Sequence, residues 1–111
     1  MSESASISSG IADRYATAVF YLAKEGKELD KLEANLDDLS AALASSPELT
    51  DLIHSPVYSR DAQSNAITAV AAKMGLTKTM QNVLALMAAK RRLLALPHMV
   101  TRLRELIAEE K

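Results

Sequence analysis

Cysteine is missing from this chain altogether, and so is tryptophan. Without cysteine there is no disulfide framework, no thiol nucleophile and no Cys-based zinc site. Aromatic residues amount to only 4%, with a single Phe, so any core has to be assembled from Leu, Ala, Ile, Val and Met. Three Gly and three Pro leave few turns. Charge of one sign is also lacking: the formal net charge is −1, which provides no field to draw in nucleic acid or anionic lipid. No apolar run is long enough to span a bilayer. The start of the chain, Met1 to Gly10, is Ser-rich and has neither the basic segment nor the hydrophobic stretch of a signal peptide. The expected setting is therefore the cytosol or an organelle matrix, with residues 1–9 forming a disordered tail.

What is present favours helix. Apolar residues make up 49% of 111 residues, enough for one domain with a real core and little room for a deep catalytic cleft. Ala, Leu, Glu, Lys and Met dominate, all strong helix formers. The expected fold is all-α, a compact bundle of six helices over residues 10–111, with no internal repeat and no strand.

The first helix is expected to begin at Ser8, Ser9 or Gly10 and to stop at Gly26, which suits a C′ position. On a wheel of about 100° per residue, Asp13, Arg14, Thr17, Tyr21 and Lys24 share one polar arc of roughly 100°. The apolar remainder, from Ile11 and Ala12 through Tyr15, Ala18 and Val19 to Leu22 and Ala23, sweeps about 200°, roughly twice what one core face requires. The second helix differs. Leu29, Leu32, Leu36, Leu39 and Leu43 make a narrow seam, which is what a helix shows when it simply packs on one neighbour.

Ser46-Pro47-Glu48 reads as an N-cap, a Pro at the first helical position and an early-turn acid. It opens a short helix to about His54, with Leu49, Leu52 and Ile53 inward, and Pro56 forces an extended connection. Ser59 or Asp61 caps the fourth helix, whose apolar set Ala62, Ala66, Ile67, Val70 and Met74 closes at Gly75. Thr77 caps the fifth, expected from Lys78 to about Arg91, with Met80, Val83, Leu84, Met87 and Ala88 inward. Leu86 falls off that stripe, beside Asn82, Ala89 and Lys90. Pro97 is expected to open the sixth helix, with Met99, Val100, Leu103, Leu106 and Ile107 inward.

Catalytic patterns are absent. His54 and His98 each sit near a helix end without a second ligand at metal-binding spacing. No nucleophile elbow, phosphate loop or helix-borne metal motif occurs, and no cofactor is expected. Asp37-Asp38 reads as a solvated face. Lys90-Arg91-Arg92 is the one basic concentration, yet no aromatic is interleaved for base stacking, and cations suit a helix C-terminus in any case. The remaining feature is surplus apolar surface on the first helix, joined by Leu86 on the fifth. Two readings stay open: a central helix surrounded by its own bundle, or one wall of a groove for an amphipathic partner helix. A self-associating bundle or generic helical interaction domain is the broader alternative.

Two segments carry a resemblance. Arg14-Tyr15-Ala16-Thr17-Ala18-Val19-Phe20 and Asn82-Val83-Leu84-Ala85-Leu86-Met87-Ala88-Ala89-Lys90-Arg91-Arg92-Leu93-Leu94-Ala95-Leu96-Pro97 resemble the two signature stretches of the delta subunit of F-type ATP synthases. The mitochondrial counterpart of that subunit is the oligomycin-sensitivity-conferral protein. The resemblance runs from Ile11 to the end. It implies a non-catalytic stator domain whose first and fifth helices form a groove for the N-terminal helix of an alpha subunit of the catalytic head, in support of proton-driven ATP synthesis. It places the chain as a peripheral component on the cytoplasmic face of a bacterial inner membrane, or on the matrix side in mitochondria. The groove residues it implies are Tyr15 and Leu86; Ala12, Val19, Asn82, Ala89 and Lys90 join them as lining residues by helical spacing.

Lys90-Arg91 departs from the acidic or small residues common there in relatives. The resemblance also implies a C-terminal part that engages the peripheral stalk. Its lack here, with Glu109-Glu110-Lys111 offering no helix cap, gives the expectation of a truncated N-terminal domain, monomeric in isolation.

Overall fold

The computed structural model describes residues 3–54 and 57–110, with side chains described from residue 10 onward. Among them are six α-helices and no strand: α1 (Glu3–Glu25), α2 (Leu29–Ser45), α3 (Pro47–His54), α4 (Arg60–Lys73), α5 (Lys78–Ala89) and α6 (Leu96–Glu110), with a 3-10 turn at Leu93–Ala95. The expected six-helix bundle is what the chain forms.

The caps lie where Ser and Thr were expected to place them. Ser46 Oγ accepts the Leu49 N–H at 3.2 Å, Ser59 Oγ the Ala62 N–H at 3.1 Å, and Thr77 Oγ1 the Met80 N–H at 3.2 Å. Each satisfies a donor that a helix N-terminus otherwise leaves free. The connection at Pro56 lies outside the described residues.

Several helix ends differ from expectation. The backbone is helical from Glu3, ahead of the start expected at Ser8–Gly10 and within the stretch expected as a tail. Once a helix is nucleated, each added residue gains one hydrogen bond, and Ala and Ser do not oppose its extension. Met1 and Ser2 lie outside the described residues. At the other end of α1 it is Lys27, not Gly26, that takes the left-handed conformation, at φ 57°. The Glu28 N–H bonds the Ala23 carbonyl at 2.7 Å and the Lys27 N–H bonds that of Lys24 at 3.1 Å, the paired bonds of a Schellman ending. The same ending closes α4 with Gly75 at φ 69° and α5 with Arg91 at φ 58°. Helix α5 therefore stops at Ala89, short of Arg91.

The core is aliphatic. Leu32, Leu36 and Leu39 of α2 are fully covered, while Leu29 and Leu43 at the ends of the seam are half-buried. Every residue of the expected α5 stripe is buried, as are Met99, Val100, Leu103 and Ile107 of α6, with Leu106 half-buried. Helix α4 keeps Ile67 in the core and Ala66, Val70 and Met74 half-buried against it as expected, but it also turns Gln63 and Ala71 inward and leaves Ala62 exposed. Gln63 is tolerated because its Nε2 donates to the Leu52 carbonyl at 2.9 Å, tying α4 to α3. Asn35, also buried, accepts the Thr77 N–H at 2.7 Å and ties α2 to the start of α5.

Helix α1 lies chiefly along α6, and also meets α5 and α2. Its buried side is built from small residues, Ala12, Ala16, Val19 and Ala23 together with Phe20, so neighbouring helices approach closely. Two exposed ion pairs, Asp13–Arg102 at 2.7 Å and Lys24–Glu110 at 2.8 Å, link successive points of the two helices and show that α6 runs in the same direction as α1.

Candidate partner-binding groove

The wide apolar arc of α1 divides into two edges. Ala12, Ala16, Val19, Phe20 and Ala23 belong to the core, whereas Ile11 and Tyr15 are half-buried at its edge and Ala18 and Leu22 are exposed. The latter four recur at i, i+4, i+7 and i+11, so they form one stripe of about three turns and roughly 16 Å. That stripe is one wall of a groove of about 380 Å³, with Val83 and Leu86 of α5 and Arg92 beyond its end supplying the other. Leu22 is 54% exposed and Leu86 45%. Exposure of that size on large aliphatic side chains leaves apolar area that the fold itself does not cover.

The polar part of the groove is basic. Arg14 and Arg92 line it, and no carboxylate does. Arg92 Nη1 donates to the Tyr15 hydroxyl at 3.4 Å, so the phenol keeps a partner at the rim while its half-buried ring adds to the apolar wall.

Of the residues expected in this groove, Tyr15 and Leu86 line it. Asn82, Ala89 and Lys90 are exposed on the same side of α5 as Leu86 or at its end, since i−4, i+3 and i+4 share a helix face, but they lie outside the groove's own lining. Ala12 and Val19 need correction as lining residues: they are 1% and 0% exposed. Their edge of α1 is covered by the bundle, and the groove edge begins one position over, at Ile11, Ala18 and Leu22. All three already lay within the apolar arc, but a 200° arc does not say which part of it neighbours will cover.

A hollow of about 450 Å³ between the start of α1 and α6 suits an apolar helix less well, being lined by Asp13, His98, Arg102 and Glu105 among others. Its charges already pair with one another, with Arg102 held by Asp13 at 2.7 Å and Glu105 at 3.3 Å. These hydrogen bonds, Asp13 first, raise the Arg102 pKa above its ordinary value, and Lys24 is likewise raised by its hydrogen bond to Glu110. Both stay charged at any ordinary pH. His54 Nδ1 lies 2.9 Å from the Thr50 carbonyl. Among the described residues no group of three or more His, Asp or Glu could hold a metal ion, and no helix is long and apolar enough to cross a membrane.

The basic run splits up. Arg91 donates to the Tyr58 carbonyl at 2.8 Å and Arg92 turns to Tyr15, so the run does not form one continuous phosphate-binding face.

A family model for the ATP synthase delta (OSCP) subunit matches residues 11–111. The chain is 63% identical over its whole length to the ATP synthase subunit delta of Dinoroseobacter shibae, 60% to that of Rhodobacter capsulatus and 57% to that of a Ruegeria species. It spans about 60% of the length of these relatives.

Proposed function

Because the chain belongs to the ATP synthase delta (OSCP) subunit family, we propose that its α1–α5 groove receives the N-terminal helix of an alpha subunit and thereby holds the catalytic head of an F-type ATP synthase. The observation that carries this reading is the groove itself: a partly exposed apolar stripe at i, i+4, i+7 and i+11 on α1, with Leu86 of α5 in the opposite wall. An amphipathic helix presents side chains at that spacing, and a two-walled apolar groove is how such helices are gripped.

The role is mechanical and non-catalytic. A rotary motor delivers work only when its catalytic head is held against the torque of the rotor, so the tether needs a preorganised interface and slow release. Burial of apolar surface contributes about 25 cal/mol per Å², less the cost of association. Tyr15 is the anchor, an aromatic of the kind that costs on the order of 2 kcal/mol or more when truncated in an interface. The domain takes a peripheral place on the cytoplasmic face of a bacterial inner membrane.

The test is to map amide chemical shifts while adding a peptide of the first ~25 alpha-subunit residues, enough for several helical turns. Shifts concentrated on Ile11–Leu22 and Val83–Arg92 are expected. Shifts centred on α2 to α4 with those two segments unmoved would reject the groove.

A further inference from the structure

We propose that the helix seated in the groove is acidic at the end that meets Tyr15, its carboxylates lying against Arg14, Lys90 and Arg92. This rests on the reading of the groove as a helix-binding site, and adds the partner's charge and its placement. The groove lining contains two arginines and no acid, and Lys90 stands exposed one turn beyond Leu86. Among the described residues these cations have no carboxylate partner. The ion pairs of the neighbourhood use other bases, with Asp13 and Glu105 on Arg102 and Glu110 on Lys24. Among the described residues no carboxylate lies within 4.0 Å of Arg14, Lys90 or Arg92. The Arg92 guanidinium makes the long 3.4 Å bond to the Tyr15 hydroxyl.

The charge is also lopsided. Arg14 adjoins Tyr15 in sequence and Arg92 reaches it in space, whereas the Leu22 end of the stripe has no cation in its lining. The C-terminus of α5 lies at the cationic end and carries a partial charge of about −0.5, too little to cancel three full positive charges. An apolar slot with one basic end discriminates by charge: it speeds encounter with an acidic helix and penalises a basic one. It also sets the direction in which the helix lies.

The experiment uses two labelled synthetic peptides of about 18 residues, or five turns. They share one apolar stripe and differ only in carrying glutamates or lysines beside it at one end. Anisotropy titrations at low salt are expected to give a preference for the glutamate peptide on the order of tenfold, shrinking as salt is raised. The double variant Arg14→Glu, Arg92→Glu should invert that preference, and Leu86→Ala should weaken both peptides alike. Equal binding of both peptides, with Leu86→Ala still weakening them, would overturn the charge proposal and leave the groove standing. Binding of neither peptide, or binding indifferent to Leu86→Ala, would overturn the groove and the proposal together. So would dimerisation abolished by Leu86→Ala, which would make a second copy of this chain the occupant.

Discussion

The leucine seam of α2 and the stripe Ile11-Tyr15-Ala18-Leu22 of α1 look alike on a helical wheel, and the fold treats them in opposite ways. Leu32, Leu36 and Leu39 vanish into the core, leaving α2 no apolar face with which to drive a self-associating coiled coil. The α1 stripe stays partly open beside Leu86, with Ile11 and Tyr15 half-buried and Ala18 and Leu22 exposed, although the same helix buries its other edge. Apolar periodicity thus announces a face, and the width of the arc announces surplus. A seam of two positions per heptad is consumed by one neighbour; an arc of about 200° exceeds what one core contact uses. Stability and binding should therefore separate cleanly between the two regions.

The largest effect is expected at Leu36→Ala. A fully buried leucine truncated to Ala costs about 2–5 kcal/mol, read by urea unfolding; a midpoint that barely moves would mean the seam is not the structural half of the comparison. Within α1 itself, Val19→Ala on the buried edge should cost about 2 kcal/mol from two lost methyl groups and the space they leave. Lys27→Gly should raise stability by about 0.5–1 kcal/mol, because glycine accepts the left-handed conformation without a Cβ clash; no rise in melting temperature would deny the strain at that helix end. The smallest change is expected at Leu22→Ala, three positions from Val19. Its stability should stay within about 0.5 kcal/mol of the parent while partner affinity falls. Equal destabilisation by Val19→Ala and Leu22→Ala would erase the distinction between the two edges.

Much of this was legible beforehand, for identifiable reasons. Ser46, Ser59 and Thr77 announce helix starts because their hydroxyls satisfy backbone donors nearby in sequence. The α5 stripe is narrow, so its phase was unambiguous, and Leu86 fell outside it. What escaped depends on groups distant along the chain. Gln63 is buried because the Leu52 carbonyl is there to receive it, and Asn35 because Thr77 needs an acceptor; neither partner is visible in a local pattern. The groove was half legible. Tyr15 and Leu86 were found, but Ala12 and Val19 stood in for Ile11, Ala18 and Leu22, because only the position of α6 and its neighbours decides which edge of a wide arc is covered.

The central claim is that the open edge of α1 and Leu86 of α5 form a binding surface the fold does not need for itself. Calorimetric titration of an alpha-subunit N-terminal peptide into the parent chain, Tyr15→Ala and Leu86→Ala, with helicity and melting temperature taken on the same samples, tests it directly. The account predicts that both variants stay folded and bind more weakly, Tyr15→Ala by about 2 kcal/mol or more. Unchanged affinity in two folded variants would contradict it.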